Sequence, residues 1–140
     1  MLNQPIRSLR DTGNVVIASP RNTVAEVVAM MLANRVSAVV VIEDGAVAGI
    51  FTEHDIVARV VAGRRDPHTV EVGEVMTREP LTVGPDATLG HALVLMHERS
   101  IRHLPVVENG RAIGLVCARD ALDPELEDFI CEERRRQAFR

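Results

Sequence analysis

The chain has 140 residues, 46% hydrophobic and 26% charged, enough to bury a core and stay soluble. A net charge of −4 argues against a general nucleic-acid binder, and 2% aromatics, with no Trp or Tyr, removes the stacking platforms of single-strand binders. No stretch approaches the roughly 20 apolar residues of a membrane span, and Cys117 and Cys131 are too few for a disulfide scaffold or a C-x-x-C site.

The first ten residues carry Arg7 and Arg10 and no apolar run, unlike a secretory signal, so a cytoplasmic protein is expected. Residues 15–18 read as a short strand, and Ser19-Pro20 as a turn. Thr23 suits a helix N-cap with Glu26 as its capping-box partner, and Val24, Val27, Val28 and Met31 follow at helical spacing. The methionines read as core packing. Residues 38–42 and 47–51 are apolar strands around Asp44-Gly45, a favoured two-residue hairpin turn because both positions need positive φ. Continuous apolarity predicts strands covered on both faces. A helix over 54–62 is expected to close on Gly63, and 64–69 to form an exposed connector.

The pattern then recurs. Residues 81–83 read as a strand, Gly84-Pro85 as a turn, and Thr88 as an N-cap before Leu89, Ala92, Leu93 and Met96. Residues 103–107 and 112–116 flank Asn109-Gly110, and a helix is expected from Arg119 onward. The tail, 124–140, fits one helix with Leu126, Phe129 and Ile130 on an apolar side, facing a partner or a second copy. Its Arg134-Arg135-Arg136 run lies among acidic residues and reads as a solvated helix face, the alternative being an anion-binding tail.

Laid over each other without a gap, residues 20–55 and 85–120 share Pro20/Pro85, Thr23/Thr88, Met31/Met96, Val41/Val106, Glu43/Glu108, Gly45/Gly110, Gly49/Gly114 and Asp55/Asp120. Many other pairs, such as Val24/Leu89, Val36/Ile101 and Ile50/Leu115, exchange one apolar residue for another. The chain is therefore a tandem α+β repeat, each copy β-α-β-β-α, with 5–66 as the first unit, 72–123 as the second and 124–140 as a helical tail. A unit of about 60 residues is marginal alone, so the copies are expected to pack about a pseudo-twofold axis with related clefts between them.

Glu74-Val75-Met76-Thr77, residues 80–85, residues 101–107 and residues 49–55 together resemble the cystathionine beta-synthase domain pair, or Bateman module, over roughly residues 5–122. The resemblance implies an adenosine ligand such as AMP, ADP, ATP, NAD or S-adenosylmethionine bound between the paired domains. It implies homodimers shaped as a flat disk, and a regulatory role without catalysis or a cofactor. A module without an effector domain would act on a separate, unknown effector protein.

Gly49-x-x-Thr52-x-x-Asp55 has a chemical logic where a strand opens into a helix. Gly49 admits close approach of a ligand or a neighbouring backbone. Thr52 offers a hydroxyl and amides to a phosphate, and Asp55 can accept from two vicinal ribose hydroxyls. The resemblance implies these same ribose and phosphate roles. The alternative makes Thr52 only an N-cap and Asp55 its capping-box partner.

In the second copy Gly114 and Asp120 remain, Cys117 replaces the threonine, and Arg119 takes the place of His54. Arg102 and His103 stand where related modules place phosphate-reaching bases, against the uncharged Ser37 and Ala38 of the first copy. His103 equally suits a hydrogen-bonded, partly buried histidine, and Arg102 an ion pair with an acidic neighbour. His91 and His97 are spaced wrongly to share a metal on one helix face. The expected function is an adenosine-nucleotide sensor; the alternative is a ligand-free dimerisation or docking module.

Overall fold

Both repeats are present in the computed structural model, which describes residues 2–9, 13, 15–121 and 123–138, the side chains of 120–128 excepted. In the first repeat Ile17–Ala18 forms β1, Val24–Asn34 α1, Ala38–Glu43 β2 and Ala46–Thr52 β3. The Thr23 and Glu26 side chains complete the reciprocal capping box, and α1 ends where Arg35 turns left-handed at φ 54°. β1 runs parallel to β2, and β2 antiparallel to β3. Asp44 and Gly45 take φ of 52° and 79°, as the hairpin turn requires.

Strand alternation explains the double-sided apolarity. Val39, Val41 and Phe51 pack against Val24, Val27 and Met31 of α1, in the first repeat's core. Ala38, Val40 and Ile50, one residue out of phase, meet Leu115 of the second repeat. The sheet is thus enclosed between its own helix and the other copy.

The second repeat contains α4 (Leu89–Arg99), β5 (His103–Glu108) and β6 (Arg111–Cys117), joined through Asn109-Gly110 with the same two φ values. α4 begins on Thr88 and ends on a left-handed Ser100. The strand expected over 81–83 is reduced to one parallel bridge, Val83 to Val106. In the first repeat the equivalent ladder includes Val40 N–H donating to the Val16 carbonyl. Pro105 occupies the place of Val40 and has no N–H to give.

The segments leading into the repeats are exchanged between them. After the first repeat, α3 (Val72–Val75) and β4 (Thr77–Arg78) return to it. Val24 N–H donates to Val70 O, Val72 N–H to Asn22 O and Gly73 N–H to Pro20 O, and β4 pairs with β3. The N-terminal segment does the same for the second repeat: Leu89 N–H donates to Gln4 O, Ile6 N–H to Ala87 O and Arg7 N–H to Pro85 O. Ile6 is fully buried among Leu89, Leu104 and Val116. Arg7 adds 2.8 Å ion pairs to Asp86 and Glu108, exposed and therefore worth little individually. Each unit, read along the sequence, thus lends its first residues to the other.

The helix after β3 winds unusually. α2 (Glu53–Asp55) runs into a π-helical segment, Ile56–Val61, in which Ala62 N–H reaches Val57 O and Arg65 N–H reaches Val60 O. Gly63 is not the left-handed cap expected of it; Arg64 takes that conformation, φ 54°. The wider turn carries an extra residue and moves the stop one position along. α5 (Asp123–Ala138) realises the tail helix. Phe129 and Ile130 are exposed on it, and Leu126 lies outside the described side chains. Arg136 pairs with Glu132 and Glu133, which fits the solvated-face reading of the arginine run. Among the described residues no helix is long and apolar enough to cross a membrane.

Candidate functional site

The hairpins of the two repeats are in matching register. Ala38 faces Thr52 across the open end of the first, and His103 faces Cys117 across that of the second. Just beyond each end, the chain entering one strand is tied to the chain leaving the other, by Glu53 N–H to Ser37 O and Ala118 N–H to Arg102 O. Because β3 and β6 pack together between the repeats, these ends open into one cleft of about 650 Å³. Ser37, Thr52, Glu53, His54 and Asp55 line it from the first repeat, and Arg102, His103, Cys117 and Arg119 from the second. The linker residues Thr77, Pro80 and Leu81 complete the wall.

Asp55 is the one buried charged side chain among the described residues. Its Oδ2 accepts from Thr52 N–H at 3.0 Å and from Thr52 Oγ1 at 3.2 Å, while its own N–H donates to Thr52 Oγ1 at 3.4 Å. Its Oδ1 lies 3.5 Å from Arg59 Nε, and Arg59 Nη1 donates onward to Met76 O at 2.8 Å. The capping role of T-x-x-D is therefore realised, and the same carboxylate ties α2, through Arg59, to the linker. Each carboxylate oxygen has two acceptor sites, so Oδ1 keeps acceptor capacity beyond its contact with Arg59.

His103 and Ser37 meet across the two repeats, Nε2 to Oγ at 3.0 Å. Burial pushes the His103 imidazole below its usual pKa of 6.5; Arg119 and Arg102 push the same way, against Glu53. Arg102 and Arg119 are exposed, and neither is in an ion pair among the described residues. The first wall thus carries carboxylates and the second carries cations.

Gly49 and Ala38 do not line the cleft. A Cβ on Gly49 would lie 2.5 Å from Met76 Sδ and 2.7 Å from Thr77 O, so the glycine admits β4 and the linker, the neighbouring backbone of its two expected uses. Ala38 is consumed by the core between the repeats. The side chain of Asp120 lies outside the described residues. Sequence reasoning passed over Glu53, which sits inside the T-x-x-D stretch and was legible there. It also passed over Thr77, whose place depends on the linker's return to β3.

The CBS domain model matches the chain twice, over residues 6–62 and 72–125. The CBS domain-containing protein YhcV of Bacillus subtilis is 36% identical over 115 residues, covering 81% of each chain. A protein with CBS domains from Burkholderia ambifaria MC40-6 superposes with a TM-score of 0.80 at 27% identity, covering 88% of this chain and 92% of that one. The CBS domain pair of protein MJ0100, solved with 5′-methylthioadenosine and S-adenosyl-L-methionine, shares the fold at a TM-score of 0.78 and 19% identity, covering 89% and 98%.

Proposed function

The chain belongs to the CBS domain family as a tandem pair, and from that premise we propose that it is a regulatory module whose inter-repeat cleft takes an adenosine-containing nucleotide. One observation carries this: both repeats and the linker wall a single space of about 650 Å³, within the range of small-molecule sites. An occupant touching both repeats changes their relative stability, and a ligand shifts an arrangement only through such unequal contact. The base lies between aliphatic groups such as Ile50, Leu81 and Ile101, since the described wall has no Phe, Tyr or Trp. The ribose faces the Thr52–Asp55 end, and a phosphate faces Arg102 and Arg119. The ligands of the MJ0100 pair, both adenosine derivatives, fit the same class. The signal passes to an effector, and a homodimer is the module's expected form.

A second reading has its own observation. Asp55 is already held by Thr52 and Arg59, as in a docking module that needs no ligand. Thermal denaturation with AMP, ATP, NAD and S-adenosylmethionine separates the two. Ligand at 100 times its Kd adds about 2.7 kcal/mol of stability; no shift with any of the four leaves the docking reading.

A further inference from the structure

Resting on the proposed ligand site, we propose that His103 couples binding of an anionic ligand in the cleft to proton uptake, so that affinity rises as pH falls. The geometry puts one imidazole at the junction of the two walls. His103 sits at the open end of β5, half-buried, with Nε2 on Ser37 of the opposite repeat. Cys117 is its cross-strand partner on β6. From β6 and the turn after it comes Arg119; from the approach to β5 comes Arg102; from α2 come Glu53, His54 and Asp55, the last compensated by Arg59. The linker contributes only Thr77, Pro80 and Leu81.

In this setting the empty cleft disfavours the imidazolium, because burial and two arginines oppose it and Glu53 alone favours it. An anion lying against Arg102 and Arg119 cancels the opposing field and adds attraction, so the bound state takes up a proton that the empty state declines. The Ser37 hydroxyl accepts from the protonated ring as readily as it pairs with the neutral one. The contact between repeats therefore survives the titration. By linkage, one such proton strengthens binding by at most about tenfold per pH unit, between the lower His103 pKa of the empty cleft and the higher one of the occupied cleft.

The test is calorimetric titration of the whole chain with AMP, near pH 6.5, in two buffers of unlike ionisation enthalpy. The difference in heat gives the protons exchanged. The expected result is net uptake of a fraction of a proton with AMP, none with uncharged adenosine, and, in His103→Gln, weaker AMP binding that has lost this uptake. A phosphate monoester with a pKa near 6 releases a proton when bound as the dianion and takes one up when bound as the monoanion, so the diagnostic quantity is the difference in uptake between the native chain and His103→Gln. AMP binding with the same proton exchange in the native chain and His103→Gln, or equal uptake with adenosine, overturns the inference and leaves the nucleotide site standing. If the variant does not fold, NMR titration of the His103 imidazole in the native chain decides: a pKa that does not rise when AMP binds overturns the inference. Failure of AMP and adenosine to bind at any pH removes the site, and this inference with it.

Discussion

Replacing Asp55 by Ala removes an acceptor on which three elements converge. The buried carboxylate takes two hydrogen bonds from Thr52; bonds to an ionised acceptor contribute about 1.5 kcal/mol each at the lower end of their range. Arg59 is half-exposed in its pair with Asp55, so solvent screening holds that contribution below about 1 kcal/mol. The total is about 3–4 kcal/mol. For a chain of this length roughly 3 °C of Tm accompanies each kcal/mol, so Asp55→Ala is expected to lower Tm by about 10 °C in differential scanning calorimetry without ligand. Asp55→Asn, which keeps an acceptor but loses the charge, should lose about half as much. A shift under about 2 °C for Asp55→Ala would refute the reasoning: the carboxylate would then be held for ligand alone, and the capping geometry would be incidental.

Phe51→Ala empties a fully buried site in the first core and is expected to cost about 3–5 kcal/mol in urea denaturation; a loss below 1 kcal/mol would mean that the repeat is not packed as described. Gly49→Ala should destabilise through its collision with Met76 and Thr77, and hydrogen exchange should quicken first at β4 and the linker rather than at β1. With His103 shifted below 6.5 in the folded state, the unfolded chain binds the proton first, so stability should fall as pH drops below 6.5 toward that lower value. The decline should be absent in His103→Gln. Glu26, held by Asn22, Glu74, held by the Glu71 N–H, and Asp86, held by Arg7, all titrate below their ordinary values of 4.5, 4.5 and 3.8. Their small stabilising effects are present above those values and should vanish as acid takes the pH through the lowered ones, with salt weakening the Asp86 part most.

The features legible in the sequence are those with local chemistry. Asp44-Gly45 and Asn109-Gly110 announced hairpins because few residues tolerate positive φ in succession, and Thr23, Thr52 and Thr88 announced caps because a hydroxyl must meet an orphan amide. The ungapped repeat carries this to the pairing of two units and to related clefts between them; that residues of both repeats and the linker wall one space is seen only in the structure. The exchange of leading segments was hidden, because Ile6 and Val72 reach their partners by backbone hydrogen bonds that any residue can make. Arg35, Arg64 and Ser100 adopt left-handed turns with no glycine to mark them. Gly49 marks a point of close approach in the sequence, but only the return of Met76 and Thr77 shows that backbone, and not ligand, is what approaches. The pairing of His103 with Ser37 joins positions 66 apart in the chain, which the 65-residue repeat does not relate by symmetry.

Whether one small molecule bridges the two walls of the cleft is decided most directly by a crystal structure grown in millimolar AMP. The account predicts density between Thr52–Asp55 and Arg102–Arg119, with the ribose on the first side and the phosphate on the second. A cleft closed by the protein's own side chains, or AMP lodged elsewhere on the surface, would contradict it.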